Sequence, residues 1–72
     1  MTGIELRKVV AANIRRAAKR SRVALNHLAD RAAVSRSQLF DVLAGRKSPS
    51  VDWLAKVSEP LNVEPCELLR KQ

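Results

Sequence analysis

The sequence predicts an all-α fold of five short helices built around a central helix-turn-helix, and three observations carry that prediction. Ala, Leu, Arg, Lys and Glu dominate the chain and no stretch alternates at period two. Apolar residues recur at three-four spacing in successive short blocks, each closed by a polar, Gly or Pro-containing break. The stretch Ala24 to Arg46 contains two such blocks separated by only Ala33-Val34-Ser35. Two short helices joined by so tight a turn form the unit that can present its second helix to the major groove of DNA.

The first helix is expected from about Glu5 to Arg20, with Leu6, Val9, Val10, Ile14, Ala17 and Ala18 as its inward stripe. Arg7, Lys8, Arg15, Arg16, Lys19 and Arg20 make its outer surface strongly basic. A membrane-surface helix shares this grammar, but the apolar face here is rich in Ala and lacks the bulky Trp, Phe and Leu that such helices bury. Ser21-Arg22-Val23 reads as the connection, with Val23 available to the core. The second helix, Ala24 to Ala32, turns Leu25, Leu28, Ala29 and Ala32 inward and leaves Asn26, His27, Asp30 and Arg31 outside. His27 has no paired carboxylate or thiol at a useful spacing and reads as a surface residue.

Ser35 is a good N-cap for the third helix, Arg36 to Ala44, because its hydroxyl can accept from a free first-turn amide. Leu39, Val42 and Leu43 form the inward stripe; Arg36, Ser37, Phe40, Asp41 and Ala44 face away, with Gln38 at the margin. Arg36 and Gln38 are long donors at the N-terminal end, suited to guanine and adenine respectively. Asp41 has two readings: it accepts from cytosine N4, or it orients Arg36 or Arg46. Phe40 also has two, contact with a thymine methyl or partner surface, or half-buried packing.

Gly45 closes the third helix as a C-cap residue needing positive φ. Arg46-Lys47-Ser48-Pro49-Ser50 then offers two cations, hydroxyls and free amides to phosphate oxygens. Ser50 is the expected N-cap of a fourth helix with Val51, Leu54, Val57 and Leu61 inward. Trp53 lies off that stripe, placed equally well at the edge of the core or exposed at a dimer contact. Pro60 disfavours helical geometry at Glu59 and should stop the helix. Pro65 suits the first position of a fifth helix, Pro65 to Lys71, with Leu68 and Leu69 apolar.

Composition bounds the function. The 72 residues and 8.0 kDa allow one domain, spanning 1–72, that buries only about 60% of the surface of its unfolded chain. With 46% hydrophobic but 3% aromatic residues, its core must be aliphatic. A net charge of +7 and a pI near 10.9 point to a polyanionic partner, nucleic acid first, although a basic surface kept for solubility has the same charge. Cys66 is alone, so no internal disulfide and no zinc set is expected, and the chain suits a reducing cytosol. No apolar run approaches the roughly 18 residues of a membrane span, and Val9 to Ala12 is too short for a signal peptide. The expectation is a soluble cytoplasmic protein with no cofactor and no membrane partner. No nucleophile-base pair, metal set or Gly-rich phosphate loop is present, so an enzyme is not expected.

Taken together, Leu28-Ala29 ahead of Ala32-Ala33-Val34-Ser35, the Leu39 and Val42 core positions, Gly45, Pro49, and the closing Leu61-Asn62-Val63 with Leu68-Leu69 resemble the Cro/XRE helix-turn-helix family of phage lambda repressor-like DNA-binding proteins. The resemblance runs from about Ile14 to Leu69. It implies a compact five-helix lambda-repressor-like domain that binds double-stranded DNA as a two-fold homodimer and regulates transcription as a repressor or controller. It also implies base reading by Arg36, Ser37 and Gln38, with Asp41 one turn on. Phosphate contacts fall at the start of the second helix, near Leu25 and Asn26, and at Arg46 and Lys47; Arg22, Ser35 and Ser48 complete the candidate set. An interface between copies on the fourth and fifth helices, close to Cys66, is a further implication. Among lone domains of this kind, the sequence fits phage repressors, controllers of restriction-modification systems and DNA-binding antitoxins equally, so a protein-interaction module with secondary DNA binding is the alternative function.

Three departures from the family pattern stand out. Leu25 replaces a common Gln, removing one usual phosphate contact that Asn26, Arg22 or arginines of the first helix would have to replace. Ala33 replaces the usual turn Gly, which costs roughly 1 kcal/mol if positive φ is kept. Ala18 and Leu43 replace an Arg and a Glu that often pair between the first and third helices. Losing one partner alone would cost about 3–5 kcal/mol, whereas replacing both by packed aliphatics is often neutral or better. Ala18 and Leu43 are therefore expected to meet in the core.

Overall fold

A computed structural model describes residues 1–71. It contains α1 (Gly3–Ser21), α2 (Leu25–Ala32), α3 (Arg36–Leu43), α4 (Val51–Ser58) and a C-terminal 3₁₀ helix (Pro65–Leu69), with no strand among the described residues. Local chemistry sets most of the boundaries. Thr2, Ser35 and Ser50 each accept a hydrogen bond from the amide three residues on, from Glu5, Gln38 and Trp53 respectively. Arg22 closes α1 in the left-handed region at φ +58°, and Val23 N donates to Ala18 O at 2.9 Å, so the chain turns sharply into α2.

Ala33 does keep positive φ, +57°, at the turn between α2 and α3. The turn is closed by Val34 N donating to Ala29 O at 3.0 Å, and its geometry is that of a left-handed cap without the residue best suited to it. Gly45, at φ +78°, fulfils the expected role after α3, with Ala44 as the capping residue.

The core is one aliphatic cluster drawn from every element. Val10, Ile14, Ala17 and Ala18 of α1 meet Leu28 and Ala29 of α2, Leu39, Val42 and Leu43 of α3, Leu54 and Val57 of α4, and Leu61 and Leu68 beyond. Ala18 and Leu43 are both buried within it, as the apolar replacement of an ion pair requires.

Three packing expectations are corrected, and the choice left open at Trp53 is resolved. Val51 is 82% exposed, and Trp53, at 4%, takes the inward place instead. The buried set of α4, Trp53, Leu54, Val57 and Ser58, continues to Leu61 and centres about 90° round the helix from Val51, which as the first residue also precedes the turn that packs. Trp53 is thus a core residue and no exposed contact. Leu6 lies at the surface because α1 begins before the core does; Ala11 and Asn13 are buried further along. The fifth helix is a 3₁₀ segment that ends at Leu69, leaving that side chain exposed.

Asn13 explains how this last segment is held. Its Nδ2 donates to Leu68 O at 2.8 Å and Arg70 O at 2.7 Å, with a longer approach to Glu67 O, while its Oδ1 accepts from Arg16 Nη1 at 2.8 Å. Three carbonyls on one side fix which end of the carboxamide is nitrogen. A buried polar side chain in the middle of α1 thereby ties the C-terminal carbonyls to the core.

Candidate nucleic-acid interface

α3 is seated by Leu39, Val42 and Leu43, which bury one stripe and leave the opposite face free of the core. On that free face Arg36, Ser37 and Phe40 are exposed, Gln38 and Asp41 partly so. Phe40 retains 42% of its surface, so its ring stands on the outward face rather than in the core.

Two carboxylates hold the cations of this face. Arg36 Nη2 lies 3.2 Å from Asp30 Oδ2, across the turn from α2, with both side chains more than half exposed. Asp41 is the hub of the loop that follows. Arg46 reaches its Oδ1 at 2.9–3.0 Å and Lys47 Nζ its Oδ2 at 3.6 Å, while the amides of Arg46 and Lys47 both donate to its main-chain oxygen. Side chain and backbone of one residue thus fold the loop back over the end of α3. Of the two orienting partners considered for Asp41, Arg46 is the one it holds; Arg36 turns to Asp30.

These pairs are easily exchanged. An exposed ion pair is worth about 0–1 kcal/mol, whereas a bidentate Arg–guanine contact discriminates by about 1–3 kcal/mol. Breaking the exposed Arg36–Asp30 pair therefore costs little. The pairs keep long side chains ordered near the surface they would serve without committing them.

The start of α2, where the resemblance implies phosphate contacts near Leu25 and Asn26, has a feature the resemblance does not supply. α1, α3 and α4 each have a side-chain N-cap, but Ala24 gives α2 none. The amides of Leu25 and Asn26, at the head of that helix, are left for an outside acceptor, and the positive end of the helix dipole favours an anion there. The missing Ser, Thr or Asp before Leu25 is the available signal. Leu25 itself packs partly against the core, and Asn26 is exposed.

The remaining candidates are distributed around this face. Ser35 uses its hydroxyl oxygen to accept from Gln38 N at 3.0 Å and keeps its own proton to donate. Ser48 is exposed in the loop after Lys47, and Arg22 is exposed at the cap between α1 and α2. His27 is exposed, and no group of three or more potential metal ligands occurs among the described residues. No described helix is long and apolar enough to cross a membrane.

No family model matches the chain, and neither does any curated protein. Solved structures do. An HTH_3 family transcriptional regulator from Vibrio cholerae superposes with a TM-score of 0.84 at 21% identity, over 93% of this chain and 38% of that one. A hypothetical transcription factor, NHTF, from Neisseria gives 0.86 at 23% identity, over 97% of this chain and 80% of that one. This chain therefore spans well under half the length of the first and most of the second. At such identities the likeness is one of architecture: this chain shares the fold of these two proteins, a compact all-helical architecture of the kind the Cro/XRE resemblance implied.

Proposed function

We propose that this chain is a sequence-specific double-stranded-DNA-binding transcriptional regulator that occupies an inverted-repeat operator as a homodimer. The observation that carries the reading is the outward face of α3, where Arg36, Ser37, Gln38 and Asp41 stand clear of the core with cations at its far end. Two structural neighbours, a transcriptional regulator and a hypothetical transcription factor, are in keeping with it.

In this reading α3 enters the major groove, and Arg36 exchanges Asp30 for guanine O6 and N7. Phosphates draw Arg46 and Lys47 off Asp41, whose freed oxygens then accept from cytosine N4. The uncapped amides of Leu25 and Asn26, with Ser35, Ser48 and Arg22, hold the backbone on either side. Two copies place their reading helices in successive major grooves about 34–36 Å apart. A repressor or controller role follows from operator occupancy.

The competing reading, a protein-binding antitoxin, would draw on an apolar patch of Phe40, Trp53 and Leu25. Trp53 is buried and Leu25 packs against the core, which leaves Phe40 alone. Titration against the chain's own upstream DNA and against random duplex at two salt concentrations tests the proposal. Upstream DNA should bind far more tightly, with affinity falling steeply as salt rises; equal binding to both would defeat the operator reading.

A further inference from the structure

We infer that an open cleft between α1 and the end of α3 is a second seat for the DNA sugar-phosphate backbone, gripped by Lys8 and Arg15. This rests on the DNA-binding reading and extends its footprint to a helix outside the helix-turn-helix.

The cleft has a volume of about 340 Å³, with Ile4 and Leu43 beside a stretch of small residues, Ala11, Ala12, Ala44 and Gly45, and Lys8 and Arg15 on its α1 side. The residues around Gly45 are small, and apart from its chain neighbours no heavy atom lies within 4 Å of where a Cβ on Gly45 would stand, so a chain can approach the backbone there. Its walls are tied together, since Arg7 Nη1 donates to Gly45 O at 3.3 Å and fixes α1 against the end of α3. The cleft adjoins the reading face directly: Ala44 lies one turn beyond Phe40 and Asp41, and Gly45 leads into Arg46 and Lys47.

Charge selects the occupant. Lys8 and Arg15 are both exposed, and neither has an ion-pair partner among the described residues, unlike Arg36, Arg46 and Lys47. Seven residues apart on a helix, they lie two turns and about 10 Å from one another along the same side. That separation spans more than one phosphate of a strand, which carries a charge every 3.4 Å or so along the duplex axis. The stretch of small apolar residues suits deoxyribose, which presents C–H rather than charge. A strand leaving the major groove past Ala44 thus meets sugar-compatible surface between two free cations.

The salt dependence of binding to a labelled random-sequence duplex of about two helical turns, which reports backbone binding alone, tests this. The double variant K8A/R15A should flatten the slope of log K against log salt by about 1.8 units, 0.9 for each phosphate no longer neutralised. The single variant Ala12→Glu, which puts a carboxylate on the exposed floor, should weaken binding and flatten the slope as well. The control R20A/K56A removes the same charge beside Pro60, Glu59 and Glu67, and should leave the slope near wild type. Thermal melts verify that each variant is folded. If K8A/R15A and its control flatten the slope equally, or neither does, the cleft assignment falls while DNA binding stands. A wild-type chain without salt-dependent binding to any duplex would overturn both.

Discussion

Asn13 and Arg36 are both polar residues on helices, and they sit in opposite situations. Asn13 is buried in α1, with its carboxamide donating to Leu68 and Arg70 carbonyls and accepting from Arg16, all within 2.8 Å. Arg36 stands on α3 more than half exposed, held by one carboxylate at 3.2 Å. The first arrangement is satisfied internally and asks nothing of a partner; breaking it leaves the buried Leu68 carbonyl and the part-buried Arg70 carbonyl without a donor. The second costs almost nothing to break, which is what a side chain that must change partners requires. Internal stability and the proposed reading contact thereby fall on different faces of the same small molecule, and each can be altered alone.

The largest expected effect lies on the buried side. Asn13→Ala should lower the unfolding free energy by about 2–3 kcal/mol, towards the upper end of what an unsatisfied buried group costs, because two carbonyls lose their donor together. Urea unfolding measures it, and a drop below about 0.5 kcal/mol would show that Asn13 does not hold the C-terminal segment. Arg36→Ala comes next and should invert the pattern. Binding should weaken by about 1–3 kcal/mol with relaxed preference at one base position per half-site, while stability stays within about 0.5 kcal/mol of wild type. Selection of bound duplexes from a random pool reads the first and a melt the second; unchanged base preference would remove Arg36 from the reading set.

Lys47→Ala should do less and do it indiscriminately, weakening all sequences alike and flattening the salt slope by about one unit. Smallest is Ala33→Gly. Relief of a left-handed Cβ is worth about 1–2 kcal/mol, and the greater freedom of Gly in the unfolded chain offsets about 0.4–1 of it. A net gain near 0.5 kcal/mol should appear as a slightly raised Tm with DNA affinity unchanged. A lowered Tm would mean that the Ala33 methyl contributes packing that outweighs the strain.

How much of this is legible in the sequence varies with the range of the interaction. Ser35 and Ser50 are recognisable as caps because capping acts over three residues, and Gly45 because a left-handed closure favours glycine. The inward stripe of α3 is plain because Leu39, Val42 and Leu43 stand out from polar neighbours. In α4 the sequence puts Val51 where the fold puts Trp53, because several apolar residues fit the helical period and only the position of α4 against its neighbours chooses which stripe is buried. Asn13 escapes sequence reading for a related reason: a carboxamide on a helix is unremarkable until its acceptors, more than fifty residues away, are brought to it.

The candidate site divides in the same way. Arg36, Ser37, Gln38 and Asp41 share a face through helical spacing alone, so the sequence is enough to gather them. The pairing of Arg36 with Asp30 crosses a turn whose direction depends on the φ of Ala33, and the grip of Asp41 on Arg46 and Lys47 depends on the reversal at Gly45.

By itself, then, the sequence determined the helical class, the helix-turn-helix at Ala24 to Arg46, the caps and the excess of positive charge, all of which follow from composition and from interactions within a few residues along the chain. Tertiary structure decided that Trp53 rather than Val51 enters the core, that Asn13 clamps the C-terminal segment, that Asp30 holds Arg36 of α3 and Asp41 the cations of the loop that follows, and that Lys8 and Arg15 flank a cleft beside Gly45. These depend on where one helix lies against another, and that is set by the packing of the whole core and not by any stretch of chain within it.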